Sequence, residues 1–455
     1  MLWDDVWYRN QSLFWCRRYC VFHEKYRRKL PMNRTITALL LPLTASFLLS
    51  SGAAAQNLVI SNARIIAGPG QVIEKGAVVI QDGKVASVTA GAAPAAPQGA
   101  KVIDATGMTV IAGYIDDHRH IIQARGAEAV AKWMKEQAAD RMRELLESGV
   151  TTVQSGGDDN AGILELKRKI EKGEIKGPRI IASGGVPTAR MKGEAEVRAA
   201  VDKVVKAGAD SIAEVHYPDV VWPYHPTEQE SKNLAAGIDE AKKLGVEFQV
   251  HAVSDLALVD STRLGARKQV HSQNINWVTK EQAKEVAAAG VQVASICGFG
   301  SPNFDVFSHD NKPKFRDGKP WPEGIVDSQG VGQEAGYMPV NLRTLYDAGV
   351  DVSYATDTVF NAPAALAHEL KSLNLVFSVP DLIKIMGPNS AKFIDKEKEL
   401  GTIEVGKLGD VVVLGGNPFD GYWNFLTAVV VVKNGEVMVD KRGQPDAGKP
   451  IVRGY

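Results

Sequence analysis

The stretch Thr109-Val-Ile-Ala-Gly-Tyr-Ile-Asp-Asp-His-Arg-His120 runs from apolar residues into two histidines one residue apart. Side-chain direction alternates along a β-strand, so His118 and His120 project from the same face. Two imidazoles at a rigid strand end are what a divalent cation needs from a scaffold. His-x-His alone is a weak signal, since most such pairs are ordinary surface residues. Its weight here comes from three more residues placed farther along the chain.

Each of the three closes a strand-like run. His251 ends Gly245-Val-Glu-Phe-Gln-Val-His, His271 ends Ala266-Arg-Lys-Gln-Val-His, and Asp357 ends Asp351-Val-Ser-Tyr-Ala-Thr-Asp. A lone histidine at such a place is most often a satisfied rim or core residue. Four histidines and an aspartate in this order match the strand carboxyl ends where a (β/α)8 barrel, the TIM barrel, builds its site.

The wider pattern agrees. From about Gly113 to Ile394, short apolar runs such as Val150-Thr-Thr-Val alternate with helical segments such as 127–147 and 228–244. Such βα units imply a parallel sheet. Strand ends are predicted at or near His120, Gln154, Gly184, His216, His251, His271, Cys297 and Asp357. Eight strands favour a closed barrel, and no G-x-G-x-x-G supports a dinucleotide fold. Both flanks read as β. Val78 to Val88 carries an Asp82-Gly83 hairpin turn, Val430 to Val439 carries Asn434-Gly435, and Asp410-Val-Val-Val-Leu is a strand. The expected architecture is a barrel over residues 113–395 with a small β-sandwich built from residues 56–112 and 396–455. The Ala/Pro/Gly-rich run from Ala90 to Ala100 reads as a surface loop.

The chain has 455 residues, 45% hydrophobic and 23% charged, which is enough for a barrel and a smaller domain. Its formal charge of +0 hides a split. Residues 1–55 hold 8 basic and 3 acidic groups, leaving 45 against 50 for the rest. A slightly acidic body argues against nucleic acid or an anionic membrane surface as the main partner. Arg34, the apolar run Ile36 to Leu49, and Ala53-Ala-Ala55 before Gln56 read as a secretory signal peptide starting at Met32 and cleaved after Ala55. Residues 1–31 then form an upstream extension. The expected address is periplasmic or secreted, with no membrane anchor in the mature chain. Cleavage leaves Cys297 alone, so no internal disulfide is expected.

These residues resemble the amidohydrolase superfamily of metal-dependent hydrolases, in its imidazolonepropionase-like and Xaa-Pro dipeptidase-like branch. The resemblance spans about Asn57 to Met438. It rests on Gly113-Tyr-Ile-Asp-Asp-His-Arg-His, Gly149-Val-Thr-Thr-Val, Gly177-Pro-Arg-Ile-Ile-Ala-Ser-Gly and Gly401-Thr-Ile-Glu-Val-Gly-Lys-Leu-Gly-Asp-Val-Val-Val-Leu. It implies that His118 and His120 bind the more buried metal, His251 and His271 the second, and that Asp357 binds metal and shuttles a proton. The implied cofactor is one or two Zn²⁺ ions, with Mn²⁺, Fe²⁺ or Co²⁺ as alternatives. Homo-oligomers are common in the family.

There are two departures from the pattern. Where binuclear relatives carry a bridging carbamylated lysine on strand 4, Gly208-Ala-Asp-Ser-Ile-Ala-Glu-Val-His216 has Ala213. Glu214, one place along, is the candidate bridge, but a shift of one residue flips a strand side chain to the other face, so a bulge is required. The alternative is a single-metal site of His118, His120, His251 and Asp357, with His271 as a polarising or proton-transfer group. Gln154-Ser155 also replaces the Arg-Asp of many relatives. His216, Tyr217 and Trp222 are expected in the substrate pocket, beneath an aromatic loop from Gly298 to Val340. His225, His309 and His368 read as surface or loop residues. Ser155-Gly-Gly lacks the frame of a nucleophile elbow.

The expected function is hydrolysis of an amide, dipeptide or other C–N bond in a small molecule, with Asp357 and His271 in catalytic roles. Ester, lactone or aryl-amide hydrolysis is the alternative within enzymes. A non-catalytic binding protein on a degenerate barrel is the alternative outside them.

Overall fold

The computed structural model describes residues 57–220, 223–298, 304–305, 314–315, 336–358 and 361–450. The leader and upstream segment lie outside these residues. So do Trp222, His309 and most of the aromatic loop after strand 7.

Asp82 and Gly83 adopt φ of 49° and 78°, and Asn434 and Gly435 adopt 49° and 76°. Two consecutive positive φ values make the I′ turn whose twist matches its flanking strands. Each turn closes a hairpin, β2 (Gln71–Gln81) with β3 (Lys84–Ala90), and β18 (Ala428–Lys433) with β19 (Glu436–Asp440). Along with β1 (Leu58–Gly68), β4 (Lys101–Asp104), β5 (Thr109–Ala112) and β17 (Val411–Leu414), they form one eight-stranded sheet. Its order is β19-β18-β17-β5-β1-β2-β3, with β4 beside β1. Both ends of the chain thus supply the small β unit.

Period-two alternation sorts its residues. Val110, Val411, Val413, Val430 and Val432 join Leu58, Ile60, Val78 and Ile80 in the unit's own core. The residues between them, Ile111, Val412, Leu414 and Val431, face the other way and join the barrel's core. The sheet therefore docks on the barrel through its second face.

The barrel strands are β6 (Tyr114–Arg119), β7 (Val150–Ser155), β8 (Arg179–Ile181) continued by β9 (Ser183–Gly184), β10 (Ser211–His216), β11 (Glu247–His251), β12 (Lys268–Val270), β13 (Gln292–Ala294) and β16 (Asp351–Ser353). Between the last two in sequence, β14 (Phe304–Asp305) and β15 (Lys314–Phe315) pair antiparallel. Neighbouring barrel strands pair in parallel. Asp117 N donates to Tyr354 O at 3.0 Å and Asp357 N to His118 O at 2.7 Å, joining the last strand to the first. Ile115, Ile181, Val270 and Ala294 fill the barrel floor against Phe393 and Ile394. Outward residues such as Val153, Ile180, Val293 and Val352 pack on the helices.

The helix Glu228–Leu244 forms as expected, begun by a Thr227/Glu230 capping box and ended by Gly245 at φ 72°. The segment 127–147 instead breaks at Gln137, whose φ of −128° leaves the helical region and divides Ala127–Glu136 from Ala138–Glu147. Met386-Gly-Pro-Asn-Ser-Ala is structural. It makes a wide turn whose Asn389 Nδ2 donates to Val352 O at 2.8 Å, while Ser390 Oγ accepts from Tyr354 N at 3.0 Å. Among the described residues no helix is long and apolar enough to cross a membrane.

Candidate metal centre

Strand β6 carries His118, His120 follows its last residue, and the segment is fastened at both flanks. Asp116 accepts from Thr356 N at 3.0 Å and from Thr356 Oγ1 at 2.6 Å, and Arg119 Nη1 donates to the same hydroxyl at 2.9 Å. Just past His120, Ile121 N and Ile122 N donate to the buried Asp158 carboxylate at 2.9–3.1 Å. The strand that presents the imidazoles is thereby tied to the segment that carries Asp357.

Glu214 reaches the interior through a bulge. In the β10–β11 pairing Ile212 faces Phe248 and Val215 faces Val250, so Ala213 and Glu214 together oppose the single residue Gln249. The extra residue resets the alternation and turns Glu214 toward the histidines. Two glycines make room. A Cβ on Gly156 would lie 2.7 Å from His118 Nε2, and one on Gly157, at φ 78°, would lie 3.2 Å from Glu214 Cβ. His271 and Asp357 leave strand geometry at φ of 75° and 49°, so both project from sharp turns at the strand ends.

The polar atoms form two groups around Glu214. His118 Nε2 and His120 Nε2 lie 3.3 and 3.1 Å from Asp357 Oδ1, and His120 Nε2 lies 3.4 Å from Glu214 Oε2. On the other side, Glu214 Oε1 is 2.9 Å from His251 Nδ1, 3.8 Å from His271 Nε2 and 3.9 Å from His216 Nε2. Asp357 Oδ2 sits 3.4 Å from His271 Nε2. The structure thus brings together His118, His120, Glu214, His216, His251, His271 and Asp357.

Electrostatics fit that geometry. Burial acts to raise the Glu214 and Asp357 carboxyls, but the surrounding histidines win and hold both below the usual carboxylate range. Burial likewise opposes charge on His120, yet Asp357 and Glu214 push that imidazole up to about 11. Charge on His251, with burial, takes His216 down to about 4. His251 is itself lowered by burial and by His271.

The donor set suits a divalent cation. His118 Nε2 and Asp357 Oδ1 are buried without a hydrogen-bond partner among the described residues. Two ligand atoms about 2.1 Å from one ion can be at most about 4.2 Å apart, and each of these nitrogen–oxygen separations is shorter. Imidazole with carboxylate is a zinc-type set. Among the described residues, two groups could each hold an ion: His118, His120, Glu214 and Asp357, and Glu214, His216 and His251. His118 Nδ1 faces Gln249 Oε1 at 3.5 Å, the kind of contact that orients a metal-binding ring.

Two expectations need correction. Tyr217 does not line the pocket. It follows the inward His216, so alternation turns it outward into the helix layer, where its hydroxyl meets Ser231 Oγ at 2.9 Å. His368 is no surface residue, being buried on the helix Ala362–Leu373. His225 is exposed, as expected. Sequence reasoning missed Asp158, Gln249 and the Gly156-Gly157 pair. The run Ser155-Gly-Gly-Asp after a strand was the available signal.

A model of the amidohydrolase family matches residues 109–441. An imidazolonepropionase of Thermoanaerobacter pseudethanolicus (strain ATCC 33223 / 39E) is 22% identical over 392 residues, covering 75% of this chain and 84% of the relative. A Xaa-Pro dipeptidase structure with bound methionine in its active site superposes with a TM-score of 0.69 at 21% identity, covering 84% of this chain and 99% of that one. Molinate hydrolase gives 0.68 at 18% identity, covering 88% and 98%. At these identities the structural likenesses are likenesses of fold.

Proposed function

Because the chain belongs to the amidohydrolase family, we propose that it is a metal-dependent hydrolase cleaving an amide, dipeptide or other C–N bond of a small molecule. The observation that carries this reading is the Glu214 carboxylate, whose Oε2 faces His120 while Oε1 faces His251. Such a carboxylate takes the place of the bridging lysine in a two-ion site. His118, His120 and Asp357 would hold the inner ion, His251 and His271 the outer, and Glu214 both. Zinc fits this nitrogen–oxygen set best.

Bound zinc supplies a water acidified toward neutral pH and an electrophile for the substrate carbonyl. The chain's own groups do the rest. Asp357, its Oδ1 toward His118 and His120 and its Oδ2 toward His271, accepts the proton of the attacking water. It then returns that proton to the leaving nitrogen. His271, whose Nε2 lies 3.4 Å from Asp357 Oδ2, would hold the outer ion beside that oxygen. The closed barrel floor excludes water from below. The imidazolonepropionase likeness supports a carbonyl–nitrogen bond as the target. The leader-like segment Arg34 to Ala55 supports a periplasmic or secreted location, and the slightly acidic body supports a small molecule rather than nucleic acid as partner.

The test combines metal content per chain with hydrolysis across amides, dipeptides, lactones and carbamates, for wild type and Glu214→Gln. Two ions falling toward one in the variant, with cleavage of a C–N bond by wild type, is the expected result. Metal-loaded protein inert on the whole panel would refute the activity, and one ion in both proteins would refute the bridge.

A further inference from the structure

Two residues outside the metal centre, Glu369 and Ser295, tie together the strand ends that carry Asp357 and His271. Glu369 lies on the helix Ala362–Leu373 with its side chain fully buried. Its Oε1 accepts from Ser295 Oγ at 2.5 Å and from Cys297 N at 3.0 Å, and its Oε2 accepts from Gly298 N at 2.5 Å. The grip therefore spans Ile296, which stands at φ 50°. A β-branched residue there is strained and persists only where its surroundings over-determine it.

Ser295 passes that grip sideways. Ala294 and Ile296 face the barrel interior, so Ser295 between them faces the helix layer. Its Oγ accepts from Ala355 N at 3.2 Å and its carbonyl from Ser272 N at 3.1 Å, while Ile296 N donates to Ala355 O at 3.2 Å. Ser272 follows His271, and Ala355 precedes Asp357 with one residue between them. His271 and Asp357 also leave strand geometry, at φ 75° and 49°, so no regular ladder fixes them. Their contact, His271 Nε2 to Asp357 Oδ2 at 3.4 Å, depends on how the three strand ends are tied. Helix packing alone would not call for Glu369, since a buried carboxylate with no paired cation among the described residues costs stability.

We propose that Glu369 is a positioning residue of the hydrolytic reaction, acting through Ser295 to hold His271 and Asp357 at their working separation. The inference rests on the metal-dependent hydrolase reading, in which Asp357 moves the proton and His271 holds the outer ion. Both Glu369 and Ser295 act from behind the strand ends. A strand end free to shift by about 1 Å loses about 100-fold in rate. An anchor in that place therefore governs kcat rather than the affinity for substrate.

The experiment uses the protein loaded with zinc and, separately, with cobalt, in wild type, Ser295→Ala, Glu369→Met, Glu369→Gln and Ser261→Ala. Ser261 is the control, a buried serine on the helix Asp255–Arg263 whose hydroxyl donates to Ala257 O, away from these strand ends. With zinc in excess, kcat should fall about 10- to 100-fold in Ser295→Ala and Glu369→Met, while KM stays within about twofold. Their visible cobalt spectrum should change, because a ligand has moved. Glu369→Gln keeps an acceptor oxygen for Ser295 and Cys297 and should stay near wild type. Ser261→Ala should lower the melting temperature alone. Should Glu369→Met fail to fold, Ser295→Ala decides. Unchanged kcat and cobalt spectrum in Ser295→Ala, with only melting lowered, would overturn the proposal, and so would a Glu369→Gln variant as impaired as Glu369→Met. Metal-loaded wild type inert on every substrate overturns the hydrolase reading, and the cobalt spectrum then still decides the positioning role. Wild type that binds no metal overturns both.

Discussion

Gly156→Ala should empty the inner half of the site without disturbing the barrel. The added Cβ would lie 2.7 Å from His118 Nε2 and 3.0 Å from the two carbons beside it. Ordinary contact lies at about 3.5 Å, so the ring must retreat about 0.8 Å. It has little room, because His118 is fully buried, with Gln249 on its Nδ1 side and Asp357 on its Nε2 side. Metal–ligand bonds tolerate about 0.2 Å, so the displacement is several times what coordination allows. Misplacement near 1 Å costs about 100-fold in catalysis, and overpacking costs about 1–3 kcal/mol of stability. Gly185→Ala is the control, since its Cβ would meet nothing nearer than Ala213 O at 3.6 Å. Elemental analysis should find less than one inner equivalent of metal in Gly156→Ala and full metal in Gly185→Ala. Equal metal content and equal melting in both variants would refute the packing argument.

Three further outcomes are expected. Glu369 accepts from Ser295 Oγ at 2.5 Å, Cys297 N at 3.0 Å and Gly298 N at 2.5 Å, yet burial pushes its carboxyl up to about 7. The raised value means that its stabilising contribution is present below about pH 4.5 and lost as pH rises through about 7, a change of about 3 kcal/mol. Denaturant midpoints at about pH 5 and pH 8 should therefore fall more in wild type than in Glu369→Gln, and parallel curves would count against it. Asp158→Ala leaves Ile121 N and Ile122 N without their acceptor, which should cost about 1–3 kcal/mol and weaken metal binding about 10- to 100-fold; a chelator titration that matches wild type would show that the anchor is dispensable. Tyr217→Phe should cost about 1 kcal/mol and leave KM unchanged, because its hydroxyl serves the helix at Ser231. A raised KM would return Tyr217 to the pocket.

The fold was legible wherever residues repeat with a period. Val411 to Leu414 and Val430 to Val432 alternate cleanly, and the structure divides them between two cores along that alternation. Asp82-Gly83 and Asn434-Gly435 announce their hairpins because few other residue pairs tolerate two positive φ values. Gln137 carried no such mark. It is an ordinary helix former, so its own preference gives no sign of the break. Asp158 was hidden for a related reason: its partners are backbone N–H groups 36 and 37 residues away, and backbone groups leave no trace in a sequence.

The centre itself lies where periodicity fails, and the failure has a physical logic. A regular strand can turn only every second residue inward, spaced by about 6.6 Å along the chain. A cluster that also draws in Glu214 through an extra residue, and His271 and Asp357 from beyond their strand ends, needs more than that alternation. The barrel achieves it with irregular pairing at Asp116/Arg119 on β6 and Ile212/Val215 on β10, and with positive φ at His271 and Asp357. Glu214 could be singled out from the sequence as a carboxylate one position from where a bridge is wanted, but a bulge depends on the partner strand. Only the register of β10 against β11 decides that Ala213 and Glu214 share one opposing residue. The same register sets His216 beside His251. Deleting Ala213 should restore regular pairing with Glu214 alone opposite Gln249, between the outward Ile212 and Val215, and so keep Glu214 facing the histidines and the outer ion bound. Loss of the second ion from a folded deletion variant would refute this reading of the register.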